Sequence, residues 1–107
     1  MWTMRIAVTA AFLAGNAVAF AAAERTISQK GKIFSETEVA IKSGDTLVFI
    51  NDDTVVHNVI STTPGNVFNL GSIAPGNSTP VTFKNAGDVR VICAIHPAMK
   101  MVVKVAE

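Results

Sequence analysis

The stretch Asp88-Val89-Arg90-Val91-Ile92-Cys93-Ala94-Ile95-His96-Pro97-Ala98-Met99-Lys100-Met101 decides how this chain is read. Its first half has the period of a β-strand, with Val89, Val91 and Cys93 on one face and Arg90 on the other. Ile92 departs from that alternation, which predicts burial on both sides near the strand's end. The second half gathers a thiol, an imidazole and two thioethers into one short loop that leads into a further strand, Met101 to Ala106. These are soft-metal donors.

The strand period continues outward from this stretch. Candidate strands are Thr26 to Gln29, Glu38 to Ile41, Thr46 to Asn51, His57 to Ser61, Thr79 to Phe83, Asp88 to Cys93 and Met101 to Ala106. The breaks have turn chemistry: Ser43-Gly44-Asp45, Asn51-Asp52-Asp53, Thr63-Pro64-Gly65-Asn66, Ala74-Pro75-Gly76-Asn77 and Asn85-Ala86-Gly87-Asp88. Leu47, Phe49, Val81 and Phe83 offer inward-facing bulk. No stretch beyond Arg25 has a helical period, and there is no internal repeat or low-complexity segment. Short alternating strands between such turns predict an all-β fold, an antiparallel β-sandwich.

The first part of the 107-residue chain reads differently. Met1 to Arg5 carries one positive charge, an apolar run follows from Ile6 to about Phe20, and the small-residue pattern Ala19-Phe20-Ala21 or Ala21-Ala22-Ala23 stands before the polar start Glu24-Arg25-Thr26. This is the pattern of a signal peptide, too short and too alanine-rich for a membrane span. The expected organisation is a signal peptide over residues 1–23 and one domain over 24–107, exported to the periplasm if the cell is Gram-negative, with no stable membrane insertion after cleavage. The chain has nine basic and eight acidic residues. Without Arg5 the charges balance, so nothing points to nucleic acid or to an anionic membrane.

An exported domain this small is usually stapled by paired cysteines, yet the chain has one, Cys93. An internal disulfide is impossible. Taken singly, Cys93 would be a small buried hydrophobe, His57 a turn residue, His96 a loop residue, and Met99 and Met101 core at a strand edge. Taken together they form a donor set, because the only two histidines and the only cysteine all fit one site with a methionine beside it. Two imidazoles, one thiolate and a weak thioether suit copper in electron-transfer sites. Zinc prefers more thiolates, a carboxylate or an open water position, and iron–sulfur clusters need more cysteines.

These residues also carry a resemblance. Gly44-Asp45-Thr46 leading to Phe49-Ile50-Asn51, then His57-Asn58-Val59, Pro75-Gly76, Phe83 followed by Ala86-Gly87, and above all Cys93-Ala94-Ile95-His96-Pro97-Ala98-Met99 make the chain similar to the cupredoxins, the blue-copper proteins. Within them it resembles the plastocyanin, pseudoazurin and amicyanin group, over nearly the whole mature chain. The resemblance implies a Greek-key β-sandwich of about eight strands with one copper near one end, held in the plane by His57, Cys93 and His96. The axial methionine is Met99 on amicyanin spacing and Met101 on plastocyanin or pseudoazurin spacing. The His-Pro-x-Met string is closer to the amicyanin loop, which favours Met99.

The implied role is that of a small soluble type 1 copper protein, cycling between Cu(I) and Cu(II) and carrying single electrons between redox proteins, and not an enzyme. In this family the backbone N–H after the first histidine, here Asn58, donates to the cysteine sulfur and tunes the metal. Ile95 stands where relatives often have proline and so restores a second N–H near the Cys93 sulfur, which should raise the reduction potential. His96 would be the electron exit, with Pro97, Ala98 and Ala74-Pro75 in an apolar docking patch and Asp52, Asp53 and Lys100 as solvated charges nearby. A monomer is the default for such a carrier. A copper oxidase or nitrite-reducing enzyme fails on inventory, since both histidines are already used. A module that buffers or delivers copper without redox cycling is the rival reading, and colour separates the two.

Overall fold

The computed structural model describes residues 22–107, so the predicted signal peptide, apart from its last two residues, lies outside the described residues. Nine strands follow: β1 Glu24–Lys30, β2 Ile33–Phe34, β3 Glu38–Lys42, β4 Thr46–Asn51, β5 Ile60–Ser61, β6 Phe68–Asn69, β7 Ser78–Thr82, β8 Gly87–Ile92 and β9 Lys100–Ala106. No described residue is helical. The all-β sandwich expected from the sequence is therefore the fold.

One sheet has the order β2-β1-β4-β7 and the other β3-β9-β8-β5-β6. The sheets are mixed rather than wholly antiparallel, because β1 runs parallel to β4 and β3 parallel to β9. The chain explains this. It crosses from β2 to β3 in the opposite sheet and back to β4, so these neighbours are not joined by hairpins and their relative direction is not forced to alternate. The predicted strand from His57 to Ser61 is broken: His57 makes a single bridge to Ile73, and only Ile60–Ser61 belongs to a ladder.

Period-2 patterning supplies the core. Leu47, Phe49 and Asn51 of β4 point inward, as do Val89 and Val91 of β8 and Met101, Val103 and Val105 of β9. Phe34 meets Phe49 edge to face, and Phe68 meets Phe83 likewise, with centroids 5.9 and 5.7 Å apart. Each fully buried aromatic or aliphatic side chain contributes roughly 1.5–3 kcal/mol by leaving water. Cys93 is a free buried thiol, so packing carries what a disulfide would otherwise supply.

The β8–β9 hairpin positions the site. Its register runs from Gly87 opposite Val105 to Ile92 opposite Lys100, so residues 93–99 form its end loop. The turn after β4 brings residues 52–57 to the same end, through the bridge between His57 and Ile73 and the hydrogen bond from Gly76 N–H to Asn51 O.

Candidate metal centre

His57 is placed by a polar clamp. Asn51 closes β4 with a fully buried side chain whose Nδ2 donates to the carbonyls of Val55 and Ile73, each at 2.8 Å, while its Oδ1 accepts the Asp53 N–H. All three bonds lie in the turn that presents His57 or in the segment that pairs with it. Ile73 then exchanges both backbone hydrogen bonds with His57, at 2.7 and 3.1 Å. A buried amide with its partners satisfied fixes one conformation, since any other leaves groups unpaired.

The His57 ring is fully buried and held at both nitrogens. Its Nε2 lies 3.0 Å from Asp53 Oδ2, and its Nδ1 faces Cys93 Sγ at 3.9 Å. Asp53 also accepts N–H donors from Lys32 and Thr54. The Lys32 donor, then His57, then Thr54 hold its carboxyl down to about 2. An ionised carboxylate only accepts, so His57 carries its proton on Nε2 and presents the Nδ1 lone pair to Cys93.

The Lys32 contact has a backbone origin. Gly31 and Lys32 both have positive φ, 64° and 60°, and form the two-residue turn between β1 and β2. Lysine seldom adopts that conformation, and the bond to Asp53 is the compensation visible at this position.

The second donor segment is closed by its own backbone. Cys93 N–H donates to Met99 O at 3.1 Å and Met99 N–H to His96 O at 2.8 Å, which curls residues 93–99 into a compact loop. Ala94 N–H donates to Asn58 Oδ1 at 2.9 Å and stitches this loop to the residue that follows His57. Asn58 thus joins the two segments through its side chain. Cys93 and Met99 are fully buried, and Met101 nearly so. The His57 and His96 rings meet edge to face with centroids 4.8 Å apart.

His57, Cys93 and His96 are therefore brought together, with Met99 buried in the same loop. Among the described residues, no three His, Cys, Asp or Glu side chains form a closed cage by themselves. The donors fit a soft metal nonetheless. Nε2 of His96 is buried without a hydrogen-bond partner, a state that costs about 1–3 kcal/mol unless something satisfies it. The one nearby carboxylate, Asp53, faces the far side of the His57 ring, which leaves nitrogen and sulfur as the donors.

Reading Asp53 as solvated surface charge missed its role. The signal was present as an acid four residues before a histidine, but that spacing means nothing without knowing the turn. Asp52 is likewise engaged, accepting the Ser28 hydroxyl at 2.6 Å. Around the site, Val55, Val56 and Ile95 are exposed apolar side chains next in sequence to the donor segments, and Ala74, Pro75, Pro97 and Ala98 are exposed as well.

Comparison with known proteins agrees with this geometry. The family model for copper binding proteins of the plastocyanin/azurin family matches residues 21–106. Among solved structures, a purple cupredoxin from Nitrosopumilus maritimus superposes with TM-score 0.68 at 24% identity, covering 76% of this chain and 98% of its own. An amicyanin variant in its reduced Cu(I) form gives 0.69 at 26% identity, covering 82% and 85%. A Cu-containing nitrite reductase from Thermus scotoductus SA-01 gives 0.74 at 25% identity over 89% of this chain but only 25% of the enzyme. No curated protein matches the chain by sequence.

Proposed function

Because this chain belongs to the plastocyanin/azurin family of copper-binding proteins and carries copper as its cofactor, we propose that it is a single-electron carrier of an exported compartment, with His57, Cys93 and His96 as in-plane ligands and Met99 as the weak axial one. Copper supplies a one-electron couple between Cu(II) and Cu(I). The protein's contribution is to keep the donors still while the charge changes, since ligand rearrangement raises the barrier to transfer.

The observation that carries this reading is the convergence of His57 Nδ1 on the buried Cys93 Sγ, with the His96 ring stacked edge-on beside it. Asp53 fixes the tautomer of His57, Asn51 fixes its backbone, and the Asn58 to Ala94 bond fixes the distance between the two donor segments. The N–H groups of Asn58 and Ile95 would further tune the Cys93 sulfur as hydrogen-bond donors. Met101 remains the alternative axial donor.

Burial separates the roles of the two histidines. His57 is fully enclosed, whereas His96 is partly exposed, with Ile95, Pro97 and Ala98 exposed next to it in sequence, which supports His96 as the electron exit. Val55 and Val56 extend the apolar surface that a redox partner would cover weakly and transiently. The chain acts as a monomer and performs no chemistry on a substrate.

Cyclic voltammetry on the copper-loaded protein tests the role. A reversible one-electron wave with rapid electron self-exchange supports a carrier. Sluggish, irreversible reduction with prompt loss of copper to a Cu(I) chelator would instead indicate metal delivery.

A further inference from the structure

A groove of about 380 Å³ lies over the β8–β9 hairpin, lined by Thr37, Arg90, Ile92, Lys100 and Val102 among others. It belongs to the outer face of the five-stranded sheet, since Arg90 and Ile92 point away from the buried Val89 and Val91. The register sets Arg90 opposite Val102 and Ile92 opposite Lys100, so cations and half-buried aliphatic side chains alternate as on a checkerboard. Ile92, the residue that broke the strand's alternation in the sequence, is the apolar floor of this surface.

Its charge is one-sided. The ionisable side chains on this face are Lys42, Arg90, Lys100 and Lys104 against Glu38 and Asp88. Asp88 is paired with Lys104 at 3.3 Å. Glu38 stands beside Val102, on the far side of it from Arg90. Among the described residues, neither Arg90 nor Lys100 has an ion-pair or hydrogen-bond partner for its side chain. Two unpaired cations flanking an apolar floor are complementary to carboxylates carried on aliphatic stems.

We propose that this groove docks an acidic extended segment of a partner protein. Arg90 and Lys100 are diagonal cross-strand neighbours, about 7–8 Å apart at the backbone. Carboxylates on alternate residues of an extended chain recur about every 6.5–7 Å, which matches that diagonal. Glutamate stems would then cover Ile92 and Val102. The groove holds none of His57, Cys93, His96 or Met99, and of the candidate donors only Met101 contributes to its lining, so docking does not require copper and complements contact at the His96 end.

The test follows amide shifts of the isotope-labelled protein, metal-free and Cu(I)-loaded, as a capped peptide of alternating glutamate and threonine is added. Shifts should centre on Arg90, Ile92, Lys100 and Val102 in both forms. Arg90→Gln and Lys100→Gln should each weaken binding about fivefold, and salt near 1 M, where the Debye length is about 3 Å, should abolish it. Both residues are exposed and unpaired, so the variants should keep the parent's unfolding midpoint. Absence of binding, equal binding of a lysine–threonine peptide, shifts confined to the His57 and His96 end, or binding unchanged in the double variant would each overturn the proposal.

Discussion

Nδ1 of His57 faces Sγ of Cys93 at 3.9 Å, although 36 residues separate them in the chain. On the Cys93 side the Ala94 N–H bond to Asn58 Oδ1 holds the two segments together, and the ring itself is set from behind, where Asp53 grips Nε2 and Asn51 clamps the turn. The donors are thus oriented by polar contacts that belong to β4 and its turn, while sulfur and imidazole meet in an apolar surround.

Replacing Asp53 with asparagine should weaken copper binding about 10- to 100-fold, the usual cost of losing the partner that orients a ligating histidine. An amide at this position no longer demands a proton on Nε2, so Nδ1 ceases to be the defined donor. Titration against a competing copper chelator measures the change. Unchanged affinity would show that packing alone orients the ring.

Asn51→Ala should destabilise the metal-free fold by about 3 kcal/mol, because the Val55 and Ile73 carbonyls lose a buried donor and the Asp53 N–H loses its acceptor. Urea unfolding gives the value. Asn69→Ala, which removes only an exposed bond to the Gly71 N–H, should stay within about 0.5 kcal/mol of the parent.

Met99→Leu and Met101→Leu discriminate between the two axial candidates. Both side chains are buried and the exchange nearly conserves volume, so each should cost less than about 1.5 kcal/mol. If Met99 is the axial donor, only Met99→Leu changes the reduction potential and the visible spectrum. A change confined to Met101→Leu would transfer the role to Met101.

Acid should destabilise the metal-free protein through Asp45 and Asp53. Asp45 is lowered from 3.8 chiefly by the Lys42 N–H, and Asp53 is held at about 2. Both depressed carboxyls stabilise the fold fully above their unfolded value near 3.8, and the contribution is lost as pH falls through the folded values. The urea midpoint should therefore fall between pH 4 and about 2, and Asp45→Asn with Asp53→Asn should flatten that slope.

Much of this was legible in the sequence. The Val89, Val91, Cys93 alternation and the punctuating turns were enough for an all-β sandwich, and the scarcity of His and Cys made the donors stand out. Two-residue strands such as β2 and β6 were not legible, because alternation needs more positions than they have. Nor were the parallel pairings, which depend on crossings between sheets. Asn51 and Asp53 looked like ordinary turn residues, and only the fold shows that one is buried and the other grips His57.

The central claim is a copper–thiolate bond at Cys93, and the visible and electron-paramagnetic-resonance spectra of the Cu(II)-loaded mature domain test it most directly. The domain beyond residue 23 has no Tyr or Trp, so its concentration must come from peptide absorbance or amino-acid analysis. Intense blue, green or purple absorption that vanishes in Cys93→Ser is the expected result. A colourless domain with an ordinary tetragonal Cu(II) signal, unchanged by Cys93→Ser, would contradict the account.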